Sequence, residues 1–296
     1  MSATLPRSDT PAHPQLPQSP SPALAGALRW LRRDGLGGLI AVTLILFIIG
    51  PMLSVVLWAF AVRWQYPSLL PTEYGFRWWS ETFRRADIGT AIPQSISITL
   101  IATALSALVS LPAAYAFARM RFPGRQIFLL SFLATNAFPR FGLYITIAVI
   151  FFQLNLIGTV QGVVVIQVVN SLLLMIWIPT AAFRNVDRGL EEAALDVGAS
   201  RLRVFTQITL PIVFPAIAAA VLLSAVNIFY EAQASLIIGL PNVRTVPVLM
   251  YSLINNQLVV QYGAILMFVT WVPSLILLAF AQRFLRGRHF AAGFGV

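Results

Sequence analysis

The chain has 296 residues, is 58% hydrophobic and only 10% charged, and has a mean hydropathy of +0.81. Soluble domains carry about a quarter charged residues, so this composition excludes an ordinary soluble fold and predicts an all-α polytopic membrane protein. The net charge of +10 comes from arginine alone, since no lysine occurs; in so apolar a chain it points to loop placement rather than to nucleic acid.

Six prolines from Pro6 to Pro22, set among Ser, Gln and Ala, predict a disordered tail over residues 1–26, which lacks the apolar core of a signal peptide. A membrane domain then fills 27–296, entered through the amphipathic approach Ala27–Gly35. Crossing about 30 Å at 1.5 Å per residue takes roughly 20 apolar residues. Uncharged stretches of that length predict six transmembrane helices near Gly38–Phe60, Pro93–Phe117, Gln126–Phe152, Gly162–Phe183, Pro211–Tyr230 and Gly263–Phe284. Pro139-Arg140 interrupts the third near its middle, and a turn is expected at Asn155–Gly158. Six spans put both termini on one side. That side gathers most arginines, including Arg119, Arg121, Arg125, Arg184, Arg188, Arg201 and Arg203, against Arg63, Arg77, Arg84, Arg85 and Arg244 opposite. The positive-inside bias makes it cytoplasmic.

Residues 184–210 then form a cytoplasmic loop with helix-forming composition. Two short helices with a bend are expected. Asp187 caps the first, Ala193, Ala194 and Val197 give it a small-residue face, and Gly198 ends it in the left-handed conformation. Ser200 caps the second, which turns Leu202, Phe205 and Ile208 or Thr209 to one side, and Pro211 opens the next span. Small side chains let a helix sit deep in a partner's groove, with Glu191, Glu192 and Asp196 at the rim.

Glu192-Ala193-Ala194, three residues, Gly198, nine residues, then Ile208-Thr209-Leu210-Pro211 matches the EAA loop of type I ABC importer permeases at every fixed position. The resemblance extends to AAYAFARMRFPGR at Ala113–Arg125 and to the ending QRFLRGRHFAAGFG, which look like carbohydrate-type members. By contrast the DVGAS version of the loop and TVPVLMYSLIN at Thr245–Asn255 look more like the polyamine, phosphonate and iron branch. The resemblance implies the type I permease fold. It also implies a transport subunit whose coupling residues Glu191, Glu192, Ala193, Ala194, Asp196, Gly198, Leu210 and Pro211 meet an ABC ATPase dimer. A second permease subunit, giving a heterodimer, and a periplasmic solute-binding protein complete the implied assembly, embedded in membrane lipid. ATP and magnesium belong to the partner ATPase and this chain carries no cofactor: without lysine the GxxxxGK[ST] phosphate loop is impossible. His13 and His289 lie far from any nucleophile or metal constellation. An interfacial amphipathic hairpin is the plainer reading of the loop, and a six-span secondary transporter or membrane enzyme the alternative function.

Polar residues inside spans are expensive and mark candidate pathways. Asn136, Arg140 and Tyr144 recur every four residues in span three, Gln167 and Asn170 lie in span four, and Asn227, Tyr230 and Glu231 close span five. Arg140, about fourteen residues into its span and roughly 20 Å deep, is expected to face the bundle interior. Either it pairs structurally with Glu231 or with carbonyls freed at Pro139, or it attracts an anionic group on the substrate. On the opposite face, the aromatic segment Tyr66–Asp87 and the segment Leu240–Tyr262 are binding-protein contacts or an interfacial belt, with an ordered re-entrant turn at Pro241–Pro247.

Overall fold

The computed structural model describes residues 35–65, 67–135, 138–257 and 259–285. The proline-rich tail, Tyr66, Asn136 and the C-terminal segment from 286 lie outside these residues. The chain divides into two compact units, one ending at Val56 and the other beginning at Leu57.

The first unit contributes helix α1 (Gly35–Phe60) up to Val56. Its residues from Leu39 to Leu53 are almost all apolar and carry no charge, as a helix that crosses a bilayer requires. Pro51 sits inside α1, and the Ser54 hydroxyl donates to the Pro51 carbonyl at 2.8 Å.

The second unit opens with a small antiparallel hairpin, β1 (Ala61–Arg63) and β2 (Glu73–Tyr74), followed by α2 (Arg77–Arg84). Trp78 and Trp79 are half-buried there, and their indole N–H groups donate to the carbonyls of Val62 (3.2 Å) and Ala59 (2.8 Å). These two indoles thus tie the segment to its own chain, while Tyr74 and Phe76 remain exposed.

Helix α3 (Ala86–Arg119) packs along α6 (Val160–Asn185), and the sequence shows why. Ala102, Ser106, Ser110, Ala114 and Ala118 recur every fourth residue and are all buried, so the two backbones approach closely. Polar contacts reinforce the seam: Ser106 Oγ and Ser171 Oγ are 2.6 Å apart, and Thr180 Oγ1 donates to the Ala114 carbonyl at 3.3 Å. Thr159 caps α6, accepting from the Gly162 amide at 3.0 Å, after a turn in which Asn155 and Gly158 adopt positive φ. That turn falls where the sequence placed it.

Span three is where the structure differs most. It is two shorter helices, α4 (Arg125–Ala134) and α5 (Arg140–Gln153), separated at residues 135–139. Proline disfavours helical backbone in the residue before it, so α4 stops short of Pro139, which becomes the N-cap of α5. Arg140 is therefore the first residue of α5, not the middle of a continuous helix, and its side chain is exposed on this chain. Arg140 and Tyr144 keep their four-residue spacing within α5, and Asn136 lies outside the described residues.

The second loop helix also differs. Helix α8 (Arg201–Val204) runs through a π turn, Phe205–Thr209, directly into α9 (Leu210–Phe229). The Leu210 amide reaches back five residues to the Phe205 carbonyl. Proline at 211 cannot donate and would crowd the carbonyl four residues back, and the widened turn relieves that conflict. Pro211 thus lies inside a continuous helix, Arg201–Phe229, rather than opening a span. Leu202 points outward, 72% exposed, and Val204 is buried in its place, while Thr209 is buried and Phe205 and Ile208 are half-buried.

The chain continues through α10 (Gln233–Gly239), α11 (Val246–Gln257) and α12 (Val260–Leu285). The expected re-entrant turn is a pair of short helices with an extended link, pinned in three places. The Val246 amide donates to Ser95 Oγ at 2.7 Å, the Arg244 amide to Gln94 Oε1 at 3.0 Å, and Asn242 Nδ2 to the Gly158 carbonyl at 3.2 Å. Among the described residues, five helices are long and apolar enough to cross a membrane: α1, α3, α6, Arg201–Phe229 and α12. The split pair α4–α5 stands where the sixth was expected. Apart from the two short strands of the hairpin, the regular elements of the described residues are helices.

Candidate functional site: the loop helix and the intramembrane polar network

Helix α7 (Arg188–Asp196) is built as its sequence dictates. Asp187 accepts from the Gly189 amide at 2.8 Å and caps the N-terminus. At the other end Gly198 adopts φ +88°, its amide donating to Leu195 O at 2.9 Å, while the Ala199 amide donates to Ala194 O at 3.0 Å. This paired arrangement satisfies the orphan carbonyls and needs a residue without a β-carbon at 198. Ser200 then accepts from the Arg203 amide at 3.4 Å, so the chain restarts in α8 after only four residues outside helix.

Leu190, Ala193, Ala194 and Val197 fall on one face of α7 and its C-cap, and among the described residues that face is largely uncovered: Val197 is 85% exposed and Leu190 52%, Ala193 is exposed and Ala194 half-buried. Glu192 and Asp196 are exposed along its flank. Glu191 does not join them at a rim. Its carboxylate accepts from Arg119 Nη2 at 2.9 Å and from Thr209 Oγ1 at 2.7 Å, while Arg119 also donates to the Val186 carbonyl at 3.1 Å. The side chains of Arg119 and Glu191 are 9% and 20% exposed, so the ion pair is shielded from solvent. Glu191 is thus a bolt between the loop helix, the end of α3 and the π turn. Beneath it, Tyr115 meets Phe183 and Phe205 edge-on at 5.3 and 5.4 Å. Leu210 is half-buried against this cluster, and Pro211 is exposed.

The intramembrane candidates come together only in part. Tyr144 Oη donates to Asn170 Oδ1 at 3.1 Å, and Asn170 Nδ2 to Gln167 Oε1 at 3.4 Å. Gln167 Nε2 donates to Glu231 Oε2 at 2.8 Å and to Ser235 Oγ at 3.0 Å. Glu231 further accepts from the amides of Ala234 (2.7 Å) and Ser235 (3.1 Å), tying down the first turn of α10. Four candidates thus form one hydrogen-bonded chain across α5, α6 and the α9–α10 junction, with Tyr144 and Gln167 buried and Asn170 and Glu231 half-buried, and Tyr144 lies within electrostatic reach of both Arg140 and Glu231. Asn227 is half-buried and Tyr230 exposed at the end of α9, and neither belongs to that chain of bonds. Arg119, Thr209 and Ser235 were not singled out from the sequence as site residues. Ser235, four residues after Glu231, carried a faint signal; Arg119, 72 residues before Glu191, carried none.

Residues 107–288 match the family described as "Binding-protein-dependent transport system inner membrane component". The diacetylchitobiose uptake system permease protein NgcG of Streptomyces coelicolor is 28% identical over 250 residues, 81% of this chain and 82% of that protein. The trehalose transport system permease protein SugB of Mycobacterium tuberculosis is 29% identical over 199 residues, 65% of this chain and 71% of that one. The fold superposes with TM-score 0.63 and 17% identity on a chain of a bacterial ABC transporter involved in the import of the acidic polysaccharide alginate, covering 93% of this chain and 99% of that chain. The loop, the seam of small residues and the five long helices therefore lie in a multi-pass inner-membrane protein, and the chain belongs to the family of binding-protein-dependent transport system inner membrane components, the permease subunits of ABC transporters.

Proposed function

We propose that this chain is one of two permease subunits of an ATP-driven importer of a carbohydrate or carbohydrate derivative. Its termini and loop 184–210 face the cytoplasm and a periplasmic binding protein delivers the solute. The observation that carries this reading is the geometry of α7: an uncovered apolar face, capped at both ends, bolted through Glu191 to α3 and to the turn leading into α9. A helix held so firmly from behind and left bare in front transmits a push. In this reading Leu190, Ala193, Ala194 and Val197 seat in a groove of an ABC ATPase, which holds the ATP and magnesium, and Glu192 and Asp196 rim it. The names of the chitobiose and trehalose relatives support the solute class. The chain Tyr144–Asn170–Gln167–Glu231 and the nearby Arg140 supply the polar lining of the pathway, and Asn136, Asn227 and Tyr230 extend it.

Val197→Asp in the reconstituted transporter tests this. Val197 is too exposed for the change to disturb folding, so the permease is expected to assemble in the membrane but to lose the ATPase on purification. Retention of the ATPase with unchanged binding-protein-stimulated hydrolysis would refute the docking role.

A further inference from the structure

At the arginine-rich ends of α3 and α6 lies a recess of about 590 Å³ lined by Arg119, Arg121, Arg125, Arg184 and Arg188, with Asp187 the acid among its lining residues. Asp187 Oδ1 accepts from the Gly189 amide, and this one carboxylate against five guanidinium groups leaves the recess net positive. Arg125 Nη1 is held by the Met120 carbonyl at 3.1 Å and Arg184 Nη2 by the Phe117 carbonyl at 3.4 Å. A guanidinium has five N–H donors, so these contacts orient the forks and leave donors to spare. Arg119 Nε is buried with no hydrogen-bond partner.

Adjoining the recess is a second hollow of about 600 Å³, which shares Arg125 and Arg184 with it. Its further walls are Phe122, Ile127, Leu130 and Trp177, and Ile127 is 75% exposed. Trp177 lies seven residues before Arg184 on α6, about 10 Å deeper along the helix by its rise. The Trp177 indole donates to the Leu129 carbonyl at 3.2 Å, so the inner wall is fixed.

We infer that this paired hollow is a binding site for an anionic phospholipid, its phosphate held by Arg121, Arg125 and Arg184 and an acyl chain laid between Ile127, Leu130 and Trp177. Charge alone suits any phosphate or carboxylate. The apolar hollow running inward from the same arginines selects a lipid, because a free phosphate or an acidic side chain has nothing to place there, and basic recesses between membrane helices commonly hold anionic headgroups. The site lies beside the Arg119–Glu191 bolt, so a bound lipid brings negative charge to the base of the loop helix.

The test is native mass spectrometry of the complete detergent-purified transporter with added phosphatidylglycerol or phosphatidylcholine. The expected result is one tightly held phosphatidylglycerol per copy of this chain. It should be retained over phosphatidylcholine, weakened at least about tenfold in Arg121→Gln/Arg184→Gln, two exposed positions whose change spares the fold, and weakened also in Ile127→Ser/Leu130→Ser. Undiminished phosphatidylglycerol in the arginine variant would overturn the site. Displacement by millimolar inorganic phosphate with no effect of the apolar variant would make it a simple anion site and overturn the lipid assignment. Loss of the ATPase with lipid unchanged would reassign the arginines to a protein contact.

Discussion

At the scale of single residues, the most consequential finding is that Glu191 faces inward while its neighbour Glu192 faces solvent. Glu191→Ala would leave the Arg119 guanidinium shielded and short of its counter-charge, so the folded subunit should lose about 2 kcal/mol. That loss should appear as a lower melting temperature of the purified complex, largely absent in Glu192→Ala. Arg140→Ala makes a different prediction. If Arg140 attracts an anionic group on the solute, transport falls while assembly and lipid content hold; normal uptake would leave Arg140 a purely structural role. Sequence spacing identified Tyr144, Gln167, Asn170 and Glu231 as intramembrane polar groups, and the structure joins them into one chain. Their partners were less legible. Arg119 is one arginine among many at its end of the molecule, and only three-dimensional proximity across 72 residues distinguishes it.

At the scale of elements, caps and spacers read well and breaks read poorly. Asp187, Gly198 and Ser200 perform the local roles their side chains suggest, because a cap depends on contacts within four residues. Gly198→Pro should therefore abolish coupling: proline's φ near −65° cannot replace +88°, so α7 would leave α8 at a different angle. The expected outcome is an assembled transporter whose ATP hydrolysis no longer responds to the loaded binding protein. The seam between α3 and α6 makes a second prediction. Ser106 is fully buried on the small-residue stripe, and Ser106→Leu would force the helices apart at a cost of a few kcal/mol, read as loss of folded protein in the membrane fraction. Span three misled because Gln126–Phe152 carries no charge except Arg140 and is apolar on average, and hydropathy averages over a break that Pro139 makes in the backbone.

At the scale of the whole molecule, composition sufficed for the class and arginine placement for a proposed orientation. The absence of cysteine offers a direct check. A single thiol from Ser68→Cys, beside the hairpin, should react with an impermeant maleimide in intact cells, whereas one from Ser200→Cys should react only after the membrane is opened. The reverse pattern would invert the molecule and remove the loop from any cytoplasmic ATPase. Orientation also gives the π turn a meaning in the currency of insertions and deletions. The turn stores one surplus residue between the docking face and the membrane. Deleting one residue from 205–209 would restore ordinary helix on both sides and leave α8 in nearly its present phase about the axis of α9, because the wider π turn fits five residues into about the one turn that four occupy at about 100° each. A deletion in the ordinary helix after the turn would instead rotate α8, and α7 with it, by about 100° and aim the docking face elsewhere, so the π turn is a joint where the interval after Gly198 can change length without changing aim.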